Sequence, residues 1–209
     1  CTVMIKPSEF TSGSTIRLGE LAREAGLPDG VLNVVTGYGD PAGQVLAEHP
    51  ATDMIAFTGS QRVGRLIGGF AAPTIERVGL ELGGKGPQVV FADADLDAAA
   101  DQISSSIFGN QGQRCIADSR LIVEKSPAKP LVDKLTRIAG RVSVGDPLSA
   151  ETNVGALINP AQLEKVAGYV EAGRKSGAEV VIGGNRLGSG GLFYEPTIFT
   201  GVRPDMSIV

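Results

Sequence analysis

Apolar residues fall in short runs with glycine, proline and polar residues between them. TVMIK (2–6), VLNVV (31–35), MIAFT (54–58), RVGLEL (77–82) and PQVVF (87–91) have the length and β-branched content of strands. Between the first four lie stretches of helical spacing at 14–25, 41–48 and 61–71. Strands alternating with helices predict right-handed βαβ units, a parallel sheet and an α/β fold. Beyond residue 92 the elements lengthen. The pattern predicts a helix over 95–108, a polar loop, a strand at SRLIVEK (119–125), and helices over 127–140 and 160–176. Strands follow at EVVIG (179–183) and YEPTIF (194–199). Glycine and proline are spread as punctuation, except in ELGGKGP (81–87), whose crowding of turn formers marks a domain boundary.

Composition narrows the function class. The chain is 42% hydrophobic and 20% charged with a formal net charge of -4, ordinary for a globular protein. No Lys/Arg cluster stands out, so no nucleic-acid partner is expected. No apolar run approaches the roughly 18 residues of a bilayer span, so no membrane partner is expected. Two cysteines make no disulfide framework, and a reducing cytoplasm is the expected location. Both ends read as interiors of elements, which suggests a portion of a longer protein. In its strand context Cys1 reads as buried.

Several short stretches carry candidate chemistry. GNQGQRCIA (109–117) sets Cys115 in a flexible polar loop beside Arg114, where a reactive thiol finds access and a charge that favours its thiolate. GYGDPAG (37–43) opens a helix after a strand, but its GxGxxxG spacing is one residue long for a dinucleotide fingerprint. A glycine-rich turn explains it equally well. FTGSQRVG (57–64) repeats that arrangement: Gly59 and Ser60 offer a helix N-terminus to an anion, or Ser60 is simply a cap. DADLD (93–97) begins like a calcium loop, but Ala98 and Ser104 stand where glycine and glutamate are needed, so no metal site is expected and the aspartates read as caps. The only histidine, His49, lies far along the chain from Cys115. A base for that thiol chemistry would therefore be a carboxylate, with Glu81 of LELGG the candidate against an ordinary strand-end glutamate.

Taken together, KPSE (6–9), FTGS with its following VG (57–64), LELGGK (80–85) and NQGQRC (110–115) resemble the aldehyde dehydrogenase superfamily in order and spacing. GDP (145–147), QLEKV (162–166) and YEPTIF (194–199) extend the likeness along the whole chain. The resemblance implies an α/β chain with two parts. Residues 1–83 would be the C-terminal part of a Rossmann-like NAD-binding domain. Residues 84–209 would be a catalytic, nucleophile-bearing α/β domain, truncated at its end.

It further implies that Cys115 is the nucleophile and Glu81 the base. Lys6 and Glu9 would meet the adenosine ribose, Gly39 and Gly43 the adenine side, and Ser60 the pyrophosphate. Phe57 and Gly59 would lie along the cofactor path, with Ser8, Val63 and Leu82 in the same set. Gln162 and Lys165 would reach the nicotinamide ribose. The cofactor would be NAD with NADP tolerated, the substrate a small-molecule aldehyde, and the full-length protein a homodimer or homotetramer. Thiolate attack gives a thiohemiacetal, oxidation a thioester, and Glu81-activated water the acid. The asparagine that completes the family's oxyanion hole would precede Cys1, and the glutamate and phenylalanine that grip the nicotinamide ribose would follow Val209. A silent fragment and a CoA-acylating enzyme are the alternative readings; an intact Glu81 favours water over CoA.

Overall fold

Strands form where the apolar runs predict them in the computed structural model, which describes residues 1–209. The chain divides into two compact units, Cys1–Leu82 and Gly83–Val209. In the first, β1 (Val3–Ile5) and β2 (Leu32–Val34) flank α1 (Ser12–Glu24) and pair in parallel, Val3 opposite Leu32. A wide helical turn at Gly39–Gly43 leads into the short α2 (Gln44–Glu48). The helix expected over 41–48 is thus delayed. Asp40 is extended at φ -114° and ψ 124°, and Pro41 has no N–H to give a helix.

β3 (Met54–Gly59), α3 (Gln61–Ala71) and β4 (Arg77–Leu82) complete the unit. β3 and β4 pair in parallel from Met54–Arg77 to Gly59–Leu82. The helix α3 buries Gly64, Ile67 and Ala71, one face by spacing, against β3, β4 and α2. Gly64 has no room for a side chain because Leu82 occupies that space.

The second unit opens with β5 (Pro87–Val90), α4 (Leu96–Phe108), β6 (Arg120–Val123) and α5 (Lys125–Ala139). β5 and β6 pair in parallel, Val90 opposite Val123. Asp95 starts α4, its Oδ1 accepting from the N–H groups of Asp97 at 2.9 Å and Ala98 at 3.1 Å, as the capping reading of DADLD expects. Val90, Ala100, Ile103, Leu131 and Leu135 form the core between strand and helices. Each Val, Leu or Ile among them, when fully buried, contributes about 1.5–3 kcal/mol.

Then come α6 (Pro160–Lys175), β7 (Glu179–Ile182), β8 (Arg186–Leu187), β9 (Phe193–Tyr194) and β10 (Ile198–Thr200). β10 pairs antiparallel with β7, and β8 with β9. The single strand expected over 194–199 is broken into β9 and β10. Pro196 has no N–H for a ladder, while the Glu195 N–H goes sideways to the Asn185 carbonyl at 3.0 Å. No helix is long and apolar enough to cross a membrane.

Candidate active site

In the first unit most residues singled out by sequence lie at or just past the carboxyl ends of the two parallel strand pairs, the end at which α/β sheets present ligand sites. Lys6 follows β1. Its ammonium donates to the carbonyls of Pro7 at 2.6 Å and Gly37 at 2.9 Å, and its methylene stem lies against Gly43. One of its three donors is left for another acceptor. Gly37 takes φ 153°, and a side chain there would collide with Ala42. Lys6, Gly43 and the entrance to the Gly39 turn are thereby one local cluster.

Ser8 and Glu9 lie in the turn between β1 and α1. The Ser8 carbonyl accepts from the Thr11 N–H and the Ser12 hydroxyl, both at 3.0 Å, which leaves the Glu9 carboxylate exposed. At the end of β3 the ring of Phe57 covers Gly59 so closely that no Cβ fits. Ser60 caps α3, its Oγ accepting from the Val63 N–H at 3.3 Å. The capping account of Ser60 is therefore observed, and Val63 serves it through its backbone. Glu81 sits opposite Thr58 at the end of β4 and is exposed, and the neighbouring Leu82 turns in against Gly64.

In the second unit a 3-10 turn over Gly109–Gly112 follows α4. Asn110, Gln111 and Gly112 take φ of 52°, 57° and 69° in succession, reversing the hand of the chain. A four-residue turn then closes from the Ala117 N–H to the Arg114 carbonyl at 3.2 Å, with Cys115 and Ile116 at its centre. Cys115 is exposed, and Ile116 is 65% exposed. The Cys115 N–H donates to no protein acceptor, so it points a free donor from beside the thiol. Cys1 is exposed as well, against the burial expected from its context: it precedes β1, and nothing packs over it.

Side chains that the sequence did not flag fix this loop. Gln113 Oε1 accepts from the Ile158 N–H at 3.1 Å, and the Gln111 amide, oriented to satisfy its neighbours, accepts from the Gly155 N–H at 2.9 Å. On the other side Ser106 donates to Asp118 at 3.1 Å and accepts from its N–H at 3.3 Å, while Gln88 donates to the same carboxylate at 2.9 Å. Lys85 is held by backbone too: its ammonium donates to the Ile208 carbonyl at 2.9 Å, and Arg120 forks onto the Lys85 carbonyl. Desolvation, then the Arg120 charge, push the Lys85 pKa below its usual value. Such partners lie far apart in sequence and leave no local signal.

Gln162 and Lys165 stand in the opening turns of α6, which Asn159 caps by accepting from the Gln162 N–H at 2.8 Å, with Pro160 first in the helix. Cys115, Gln162 and Lys165 belong to the second unit, and Glu81 and the remaining candidates to the first. His49 Nδ1 accepts from the Ala51 N–H at 3.2 Å, a local turn bond.

A model of the aldehyde dehydrogenase family matches residues 1–209. Aldehyde dehydrogenase family 2 member C4 of Arabidopsis thaliana is 43% identical over 209 residues, 100% of this chain and 42% of that protein. Retinal dehydrogenase 2 of Mus musculus is 46% identical over 208 residues, 99% of this chain and 40% of that protein. The NAD-dependent aldehyde dehydrogenase from Sinorhizobium meliloti superposes with a TM-score of 0.97 at 63% identity, covering 100% of this chain and 41% of that one. An Escherichia coli NADP-dependent enzyme gives 0.97 at 38% identity, covering 100% and 43%. The chain thus spans about two-fifths of the length of the relatives it matches.

Proposed function

The chain belongs to the aldehyde dehydrogenase family, and on that premise we propose that its protein oxidises a small aldehyde to the carboxylic acid, with NAD as the preferred cofactor and NADP tolerated. The observation that carries this reading is Cys115, exposed at the centre of a turn with its own N–H unengaged. The Cys115 thiolate adds to the aldehyde carbon, and the carbonyl oxygen takes up the negative charge. The unengaged N–H then supplies one preorganised donor to that oxyanion. A bound nicotinamide would supply the acceptor for the hydride leaving the thiohemiacetal carbon, and Cys115 would then carry the acyl group as a thioester. Glu81 takes a proton from water, the water's oxygen adds to the thioester carbon, and the acid departs as the thiol is regenerated. An exposed carboxylate at a strand end suits a base that must meet solvent water, which favours hydrolysis over transfer to CoA.

The first unit's donor set fits a dinucleotide. Glu9 offers exposed acceptors for ribose hydroxyls, Lys6 a remaining donor, Gly39 and Gly43 a flat approach, and the capped start of α3 at Ser60 a favourable end for pyrophosphate. Ser8 orders the Glu9 turn, Phe57, Gly59, Val63 and Leu82 shape the strand ends, and Gln162 and Lys165 are assigned to the nicotinamide side.

The test is Cys115→Ser in the complete polypeptide. Aldehyde-dependent NADH formation should fall at least about a thousandfold, as expected when a nucleophile is removed, while cofactor affinity measured by fluorescence stays close to wild type. A variant that still turns over would refute the assignment. We assign the protein to the cytoplasm and to a homodimer or homotetramer, which fractionation and light scattering test.

A further inference from the structure

The loop that bears Cys115 is bound by side chains to a segment some 45 positions further on. Gln113, two residues before the thiol, accepts from the Ile158 N–H at 3.1 Å, and Gln111 accepts from the Gly155 N–H at 2.9 Å. Ile158 immediately precedes Asn159, the residue that caps α6 through the Gln162 N–H. A short path of bonds therefore runs from the thiol to the helix start that carries Gln162 and Lys165. Toward α6 these two side chains are the bonds that hold the loop, which has reversed hand at three successive residues.

Resting on the dehydrogenase reading above, we infer that Gln113, seconded by Gln111, is a positioning residue that sets where the Cys115 thiol stands relative to the start of α6. Its chemistry is that of an acceptor. The amide oxygen takes up the Ile158 N–H, and it spans the gap as a link without charge. Reacting atoms must lie within a few tenths of an ångström of a productive separation, and a 1 Å misplacement can cost about a hundredfold in rate. A two-point brace on this loop is the device that limits such drift.

The test compares Gln113→Met, which keeps the length but loses the acceptor, with Gln113→Glu, which keeps it, both in the complete polypeptide. Two readouts are taken. Amide exchange in peptides covering 109–117 and 153–159 should speed up about tenfold in Gln113→Met and stay near wild type in Gln113→Glu. The single-turnover rate of NADH formation at saturating cofactor should fall about tenfold in Gln113→Met and return to within about threefold in Gln113→Glu, with the cofactor's affinity little changed.

Unchanged exchange at 153–159 in Gln113→Met overturns the brace whatever the activity. Faster exchange with an undiminished NADH rate overturns its positioning role. A wild type that forms no NADH while exchange responds overturns the dehydrogenase reading and leaves the brace standing. If Gln113→Met does not accumulate folded, Gln111→Met, which removes the bond to Gly155 along with the amide's contacts within the loop but keeps the Gln113 bond to Ile158, is read by the same two measurements against a smaller expected effect.

Discussion

Glu81 and Glu9 are both exposed carboxylates near strand ends, yet the roles proposed for them separate cleanly in experiment. Water activation by Glu81 belongs to the second half-reaction. Glu81→Gln should therefore give a rapid burst of NADH followed by a steady rate lowered about a hundredfold, in the range usual for loss of a general base. Loss of the burst along with turnover would move Glu81 to thiol activation or substrate placement. Glu9 bears on coenzyme choice instead. A carboxylate facing the ribose accepts from its hydroxyls and repels a 2′-phosphate, for a preference for NAD of roughly ten- to a hundredfold. Glu9→Ser should move kcat/KM toward NADP, and an unchanged ratio would exclude Glu9 from that role. Lys6 works the other way, because its ammonium attracts a 2′-phosphate, although two of its donors are held by the Pro7 and Gly37 carbonyls. The sequence singled out all three residues, but not the backbone partners that restrain Lys6.

The two hairpin-like pieces after α6 show what a folded element adds to its sequence. β8 and β9 are two residues each, too short to rise above the background of a periodic pattern, and the Gly183–Asn185 turn leads into β8 from β7. Gly183 and Gly184 hold φ of 76° and 90°, and Gly183 abuts the Pro196 carbonyl. Tyr194 ties this turn by donating to the Gly184 carbonyl at 3.1 Å. Burial favours the neutral phenol and raises its pKa, which outweighs the lowering by Arg174 and Arg186. A folded pKa above the unfolded value near 10 means a contribution that is complete below pH 10 and lost as pH rises through the folded value. Tyr194→Phe should cost about 1 kcal/mol at neutral pH. Urea unfolding should also show a gap to wild type that narrows above pH 10, and a gap constant with pH would contradict it. By contrast, the helix starts at Ser60 and Asp95 were open to reading, because a cap and its donors are neighbours in sequence.

For the molecule as a whole, the strand and helix order and the parallel pairing of β1 with β2, β3 with β4 and β5 with β6 followed from the alternation of apolar runs, since that pattern is local and periodic, but the strands stand as separate pairs instead of the one parallel sheet expected. The bonds holding the Cys115 loop did not, since their partners are brought close only by the fold. Within these 209 residues one face of the β5–β6 pair is uncovered. Val90, Leu121 and Val123 turn to α4 and α5, while Val89 and Ile122, opposite one another, are 55% and 56% exposed. Parallel sheets ordinarily bury both faces. These 209 residues expressed alone should therefore bind a hydrophobic dye such as ANS. Val89→Thr with Ile122→Thr should at least halve its emission while shifting the unfolding midpoint little, as for exposed positions. Undiminished emission would place the dye elsewhere.

The reversed-hand run at Asn110–Gln111–Gly112 also sets which residues can occupy the loop. A helix grows by adding residues of one hand, and three of the other hand in a row form a barrier that α4 cannot cross by creeping forward one residue at a time. Helix-promoting alcohols should lengthen its free ends elsewhere before they draw Cys115 into it. The same barrier inverts the usual order of side-chain tolerance. Glycine, asparagine and aspartate become the easy replacements, and valine or isoleucine the forbidden ones, each left-handed residue without such freedom costing about 1–2 kcal/mol. Saturation mutagenesis across 110–112 would display the hand of the chain as a pattern of survival.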